Sequence, residues 1–275
     1  AMIEQVCSMA LTYAHSDGRM RFEWADLVEA MTTVESGTAV GVEYQADDTR
    51  AVAIHEAGHA LASHVYMQDL QSTRLSIRMR GSSLGHHQAA EKDERFSHWR
   101  HREFGQLVWI LGAMAAEHAF YDENSTGVSG DVQSATTTAA LMAGVWAMGP
   151  ERIELKQKLG PSREAQERKR IMAEFESLGT RIMNRLSAGS MMAGDPIGAI
   201  LSDSEKRKTV AILLGQAYVA AYNTVAQNRR QVERIAEELI ERKEMHGDEV
   251  VDLLERVGIT KPEIDYLDPK AWPKI

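Results

Sequence analysis

The chain has one cysteine, Cys7, and only six prolines among its 275 residues. A single thiol forms no internal disulfide and leaves no cysteine-based metal site to consider. Aromatic residues make up 6% of the chain, and acidic side chains outnumber basic ones, 40 to 31, for a net charge of −9. Nucleic acid and anionic membranes both favour basic surfaces, so neither is an expected partner. No run of 18 uncharged apolar residues occurs, and the N-terminus lacks the charged-then-apolar pattern of a leader. A phosphate-cradling G-x-x-x-x-G-K-[ST] loop is also missing, which excludes a nucleotide-driven motor within these residues. These absences predict a reducing, cytoplasmic setting. Ala1 ahead of Met2 reads as a cloning remnant, so a natural protein running further upstream is expected, with any membrane tether carried there.

What is present is an ordinary globular balance, 44% hydrophobic and 26% charged, long enough to bury a sizeable core. In residues 1–46 the pattern predicts a helix from Ile3 to His15, a turn at Ser16-Asp17-Gly18, an extended piece at Arg19–Phe22 and a helix to about Val34. From Thr49 to about Met67 a helix is expected, with Asp47-Asp48 as its cap. Leu75–Met79 alternates as a strand should. A turn at Gly81–Gly85 then leads into an extended piece at His86–Ala90. A helix through Phe104, Leu111 and Ala115, a Gly/Ser-rich loop at Asn124–Gly130 and a helix from Val132 to about Met148 complete this part. Beyond residue 151 the pattern is almost wholly helical, with a charged stretch from Ser162 to Leu186 and a loop at Ala188–Ile197. One long helix is expected from a cap at Ser202 or Asp203 towards Met245. After Gly258, Pro262, Pro269 and Pro273 predict an irregular tail.

The chemistry sits in His55-Glu56-Ala57-Gly58-His59. Four residues is just over one helical turn, so both imidazoles leave one face close enough to share a zinc ion. Glu56 lies one position along and can reach a metal-activated water without becoming a ligand. The competing reading is a surface helix with two polar histidines, but the flanking Ala53, Ile54, Ala57, Ala60 and Leu61 make the setting apolar. A third ligand is needed. Ala62 and Val65 stand where a metzincin needs Gly and His, which removes that class. Glu117 would serve in a thermolysin-like arrangement, whereas Asp131 could be a ligand or simply a helix N-cap. Spacing alone leaves Glu117 and Asp131 both open. His86 and His87 read as exposed polar residues, and a metal site at His98 and His101 is a remote option.

The segment around Ala53–Ala60 resembles the active-site helix of FtsH-type zinc metalloproteases. Arg80-Gly81, Leu84-Gly85 and Leu111–Glu117 are similar to further parts of that peptidase pattern. Thr126-Gly127-Val128-Ser129-Gly130-Asp131 resembles the segment carrying its aspartate ligand. The resemblance implies a metal set of His55, His59 and Asp131 holding Zn²⁺, with Glu56 catalytic and Glu117 orienting a histidine. It also implies a mainly α fold with a small β-element and long C-terminal helices. By this resemblance residues 1–46 look like the end of an AAA+ lid and 47–258 like a zinc metallopeptidase domain, which leaves 259–275 as the irregular tail its prolines predict. Residues 151–202 match no part of the pattern, and Gly130 replaces a commonly polar residue. The implied function is an endopeptidase acting on unfolded or damaged polypeptides, and the resemblance also implies a homo-hexamer fed by an AAA+ ATPase module. The rivals are a ring-forming scaffold that cuts nothing and a stand-alone soluble metallopeptidase.

Overall fold

The computed structural model describes residues 2–41, 44–80, 84–94, 96–185 and 196–275. Residues 81–83 of the turn expected at Gly81–Gly85, and most of the Ala188–Ile197 loop, lie outside them. Two helices come first, α1 (Met2–Ser16) and α2 (Trp24–Ser36), packed on each other. Between them Arg19 forms no strand; its guanidinium bonds Asp17 and Asp26 instead, which ties the turn to the start of α2.

The next helix, α3 (Ala46–Tyr66), begins one residue before the expected aspartates. Asp47 and Asp48 therefore sit in its first turn and complement the helix dipole, with no side-chain cap present. It runs into a three-stranded antiparallel sheet of order β2-β1-β3: β1 (Leu70–Ser76), β2 (His86–Glu91) and β3 (Glu244–His246). The strand expected at Leu75–Met79 thus starts five residues earlier, because β1 finds its partners from Leu70 onward, opposite Glu91. A shift in register between Ser72 and Arg74 interrupts the β1–β2 ladder.

Antiparallel to α3 lies α4 (Arg100–Tyr121), followed by a single 3-10 turn at Thr126–Val128 and then α5 (Ser129–Gly144). The α3–α4 crossing is unusually close. A Cβ placed on Gly58 would lie 2.6 Å from the carbonyl oxygen of Gly112, and one on Gly112 would lie 2.6 Å from that of Gly58. The remaining helices are α6 (Pro161–Met183), α7 (Pro196–Ser202), α8 (Ser204–Gln227), α9 (Arg229–Arg242) and α10 (Asp248–Arg256).

At the centre is α8, capped by Asp203 as its side chain accepts from the backbone N–H groups of Glu205 and Lys206. It is long and apolar enough to cross a membrane, but 78% of its most apolar window is buried against α4, α5 and α6. The helix expected to continue to Met245 breaks at Asn228. That side chain is fully buried, donating to the Thr224 and Thr260 carbonyls and accepting from the Thr260 N–H. The chain after α10 folds back over α6 and α8, where Tyr266 and Trp272 pack on Phe175.

Candidate metal centre

The Gly58–Gly112 crossing sets which residues of α4 meet the HExxH face. Because the helices run antiparallel, His59 meets a residue before Gly112 and His55 one after it. His59 Nδ1 is 3.1 Å from the Trp109 carbonyl oxygen and His55 Nδ1 is 2.8 Å from Glu117 Oε1. Both partners are acceptors, so each ring carries its hydrogen on Nδ1 and keeps the Nε2 lone pair free. Glu117 is itself fixed, accepting from the Ser125 N–H at 2.6 Å and its hydroxyl at 2.9 Å.

The two free nitrogens point at one carboxylate. Asp131, in the first turn of α5, has Oδ2 at 3.4 Å from His55 Nε2 and Oδ1 at 3.5 Å from His59 Nε2. One donor atom from each of the three residues can be chosen so that all lie within 4.8 Å of one another. A tetrahedral zinc with bonds of about 2.0–2.1 Å places its ligand atoms roughly 3.3–3.4 Å apart, close to these separations. Asp131 Oδ2 is buried without a hydrogen-bond partner, which a cation would supply. The residues fit a divalent metal ion. Spacing had left Glu117 and Asp131 open as the third donor; here Glu117 faces the far side of His55 while Asp131 faces both Nε2 atoms.

Electrostatics follow from the crowding. Burial works against charge on His55, but Asp131 and Glu117 beside it outweigh that and raise its pKa to about 10. Burial alone would push Asp131 up, yet the two histidines hold it well below the usual carboxylate range. A metal ion at Nε2 would take the place of a proton there, so metal binding competes with acid. Burial raises the pKa of Glu56, whose Oε2 has no hydrogen-bond partner. Gly85 packs against this carboxylate so closely that a Cβ there would come within 2.5 Å of Glu56 Oε1.

A cleft of about 770 Å³ opens over these residues, with His86, His87, Gln106, Trp109 and Ile110 also on its wall. His87 departs from the sequence expectation: it is buried, not exposed, because Ser72 and Trp109 both bond its ring. Nothing in the sequence singled out Trp109 or Ser125. His98 lies between Glu91 and Glu103, where the Arg102 guanidinium already bonds the Glu91 carboxylate and sits against His98 Nδ1 in the place a second cation would take.

Helix-borne histidines, a distant carboxylate and an open cleft together define a metallopeptidase domain of the HExxH class. A profile of peptidase family M41 matches residues 42–188, more than half of the chain. An ATP-dependent zinc metalloprotease FtsH of Thermus thermophilus is 29% identical over 265 residues, which is 96% of this chain and 38% of that protein. The protein of the same description from Akkermansia muciniphila is 27% identical over 98% of this chain and 31% of its own length. ATP-dependent zinc metalloprotease FtsH 4 of Sphaerobacter thermophilus is 36% identical over 47% of this chain and 20% of its own. The chain belongs to peptidase family M41, as a zinc endopeptidase-type domain of the FtsH kind. It spans less than two-fifths of the length of these relatives.

Proposed function

We propose that this chain hydrolyses peptide bonds in unfolded or damaged proteins, with zinc held by His55, His59 and Asp131 and with Glu56 as the proton-transfer group. The observation that carries this reading is the Asp131 carboxylate standing 3.4 and 3.5 Å from two imidazole nitrogens whose other sides are already bonded. Zinc bound there supplies Lewis acidity, lowering the pKa of water and polarising the scissile carbonyl. Glu56 takes the proton from the attacking water as the C–O bond forms. It returns that proton to the amine as the C–N bond breaks, ending in its starting state. Burial raises its pKa above the usual carboxylate value, which makes it a stronger base toward the attacking water.

An extended peptide fits the outer edge of β2, which pairs only with β1 among the described residues. Backbone bonding at a strand edge tolerates many side chains, as an unfolded substrate requires. The ATP dependence in the relatives' names supports an AAA+ motor acting with this domain, and the FtsH resemblance supports a homo-hexamer. Residues 1–46 would join the motor to the peptidase domain at 47–258, and 259–275 would close over the helical core. The test is casein hydrolysis by the zinc-loaded chain and by Glu56→Gln. A drop of about 10²–10⁴-fold with zinc retained is expected when a proton-transfer group is removed. Equal activity in both, or none in either, would favour a scaffold without proteolysis.

A further inference from the structure

The buried imidazole of His87 has no part in the chemistry above, yet its bonds link the sheet edge to the metal-bearing helices. The Trp109 indole N–H donates to His87 Nδ1 at 3.0 Å. Since an indole nitrogen can only donate, Nδ1 must be the bare acceptor, and the ring hydrogen is on Nε2. Nε2 then donates to Ser72 Oγ, 2.9 Å away, at the register shift in β1. The His87 and Trp109 rings meet edge to face, 5.5 Å between centroids and 82° between planes. The Trp109 carbonyl in turn accepts from His59. Backbone packing of β2 is mainly against β1 and α3; Arg102 of α4 bonds Glu91 at the far end of the strand, and this ring pair fastens the cleft end to α4.

We propose that His87 is a positioning residue that fixes the edge strand relative to α4, and so sets the width of the cleft for an extended peptide. An imidazolium would place an N–H against the indole N–H, so the strap requires a neutral ring. Burial supports that state, pushing the pKa down to about 3. The strap is therefore insensitive to pH near neutrality. The inference rests on the peptidase reading for its kinetic test but not for its spectroscopic one.

The experiment compares the full zinc-loaded chain with His87→Phe, which keeps a ring but neither bond, His87→Gln, whose amide offers one acceptor and one donor, and Trp109→Phe. Expected for His87→Phe and Trp109→Phe is a rise in KM of about tenfold, the scale of one lost hydrogen bond, with kcat changed less than threefold and zinc content unchanged. His87→Gln should recover most of the KM. The same KM ratio should hold from pH 6 to pH 9. Nitrogen NMR of wild-type His87 should show the neutral Nε2–H tautomer across that range, whether or not peptide is cleaved. A titrating or Nδ1–H ring, an unchanged KM in both Phe variants, or equal losses in kcat and KM would overturn the proposal. Absence of hydrolysis in the wild type would count against the peptidase reading, leaving the tautomer result to judge the strap.

Discussion

Two helix pairs in this chain approach backbone to backbone at glycine, and their contents differ. At the α3–α4 crossing the contact is Gly58 on Gly112, and the polar residues around it are His55, His59, Glu56 and Glu117. At the α6–α8 crossing a Cβ on Gly179 would fall 1.8 Å from the Ala211 carbonyl oxygen, and one on Gly215 would fall 2.0 Å from that of Phe175. Around this second crossing the side chains are Ile171, Phe175, Leu178 and Val219, all buried and none able to ligate a metal. Close packing is thus a general means of fixing two helices in this fold, and reactivity depends on which side chains the crossing brings together.

Substitutions at the two crossings should separate stability from metal binding. Gly179→Val and Gly215→Val are expected to have the largest effect on folding. Each forces a branched side chain into the opposing backbone, at a cost at or above the roughly 1–3 kcal/mol of ordinary overpacking. Thermal melting would measure it, and protein that remains folded should bind zinc as the wild type does. Gly112→Ala should cost about 1–3 kcal/mol by the same strain, and it should also weaken zinc binding by moving α3 against α4. Equal zinc affinity in Gly112→Ala and wild type would break the proposed link between that crossing and the site.

A smaller effect is expected from Glu117→Gln. It keeps the shape but weakens the orienting bond to His55, and loss of such a partner typically lowers metal affinity about 10–100-fold. Competition with a chelator of known affinity would read this. The last effect is read by pH and not by metal: Glu244→Gln alters the polar contacts behind the sheet, where Glu244 meets Arg80 at 3.4 Å. Although burial opposes it, His246 and Arg80 lower the Glu244 pKa from 4.5 to about 2. A depressed carboxyl stabilises the fold above its unfolded pKa and loses that contribution as pH falls through the folded one. The wild type should therefore lose stability between about pH 4.5 and 2, and Glu244→Gln should lose less over that window.

Much of this was legible in the sequence because local rules and tertiary context agree. The α3 helix is read from the aspartates at its start and the spacing of Val52, Ile54, Leu61 and Val65, and the pairing of His55 with His59 follows from helical pitch. The choice between Glu117 and Asp131 was not available from spacing, since it depends on how α4 and α5 dock on α3. The break at Asn228 escaped for a similar reason: its buried side chain is satisfied by Thr260, 32 residues away. His87 was misread because a histidine between polar neighbours looks exposed until Ser72 and Trp109 close around it.

Zinc content of purified Asp131→Asn, measured beside Glu117→Gln after removal of free metal, tests the central claim most directly. The account predicts about one zinc per chain in the wild type, most of it kept by Glu117→Gln despite that variant's weaker affinity, and almost none bound in Asp131→Asn. Zinc retained by Asp131→Asn and lost from Glu117→Gln would contradict it.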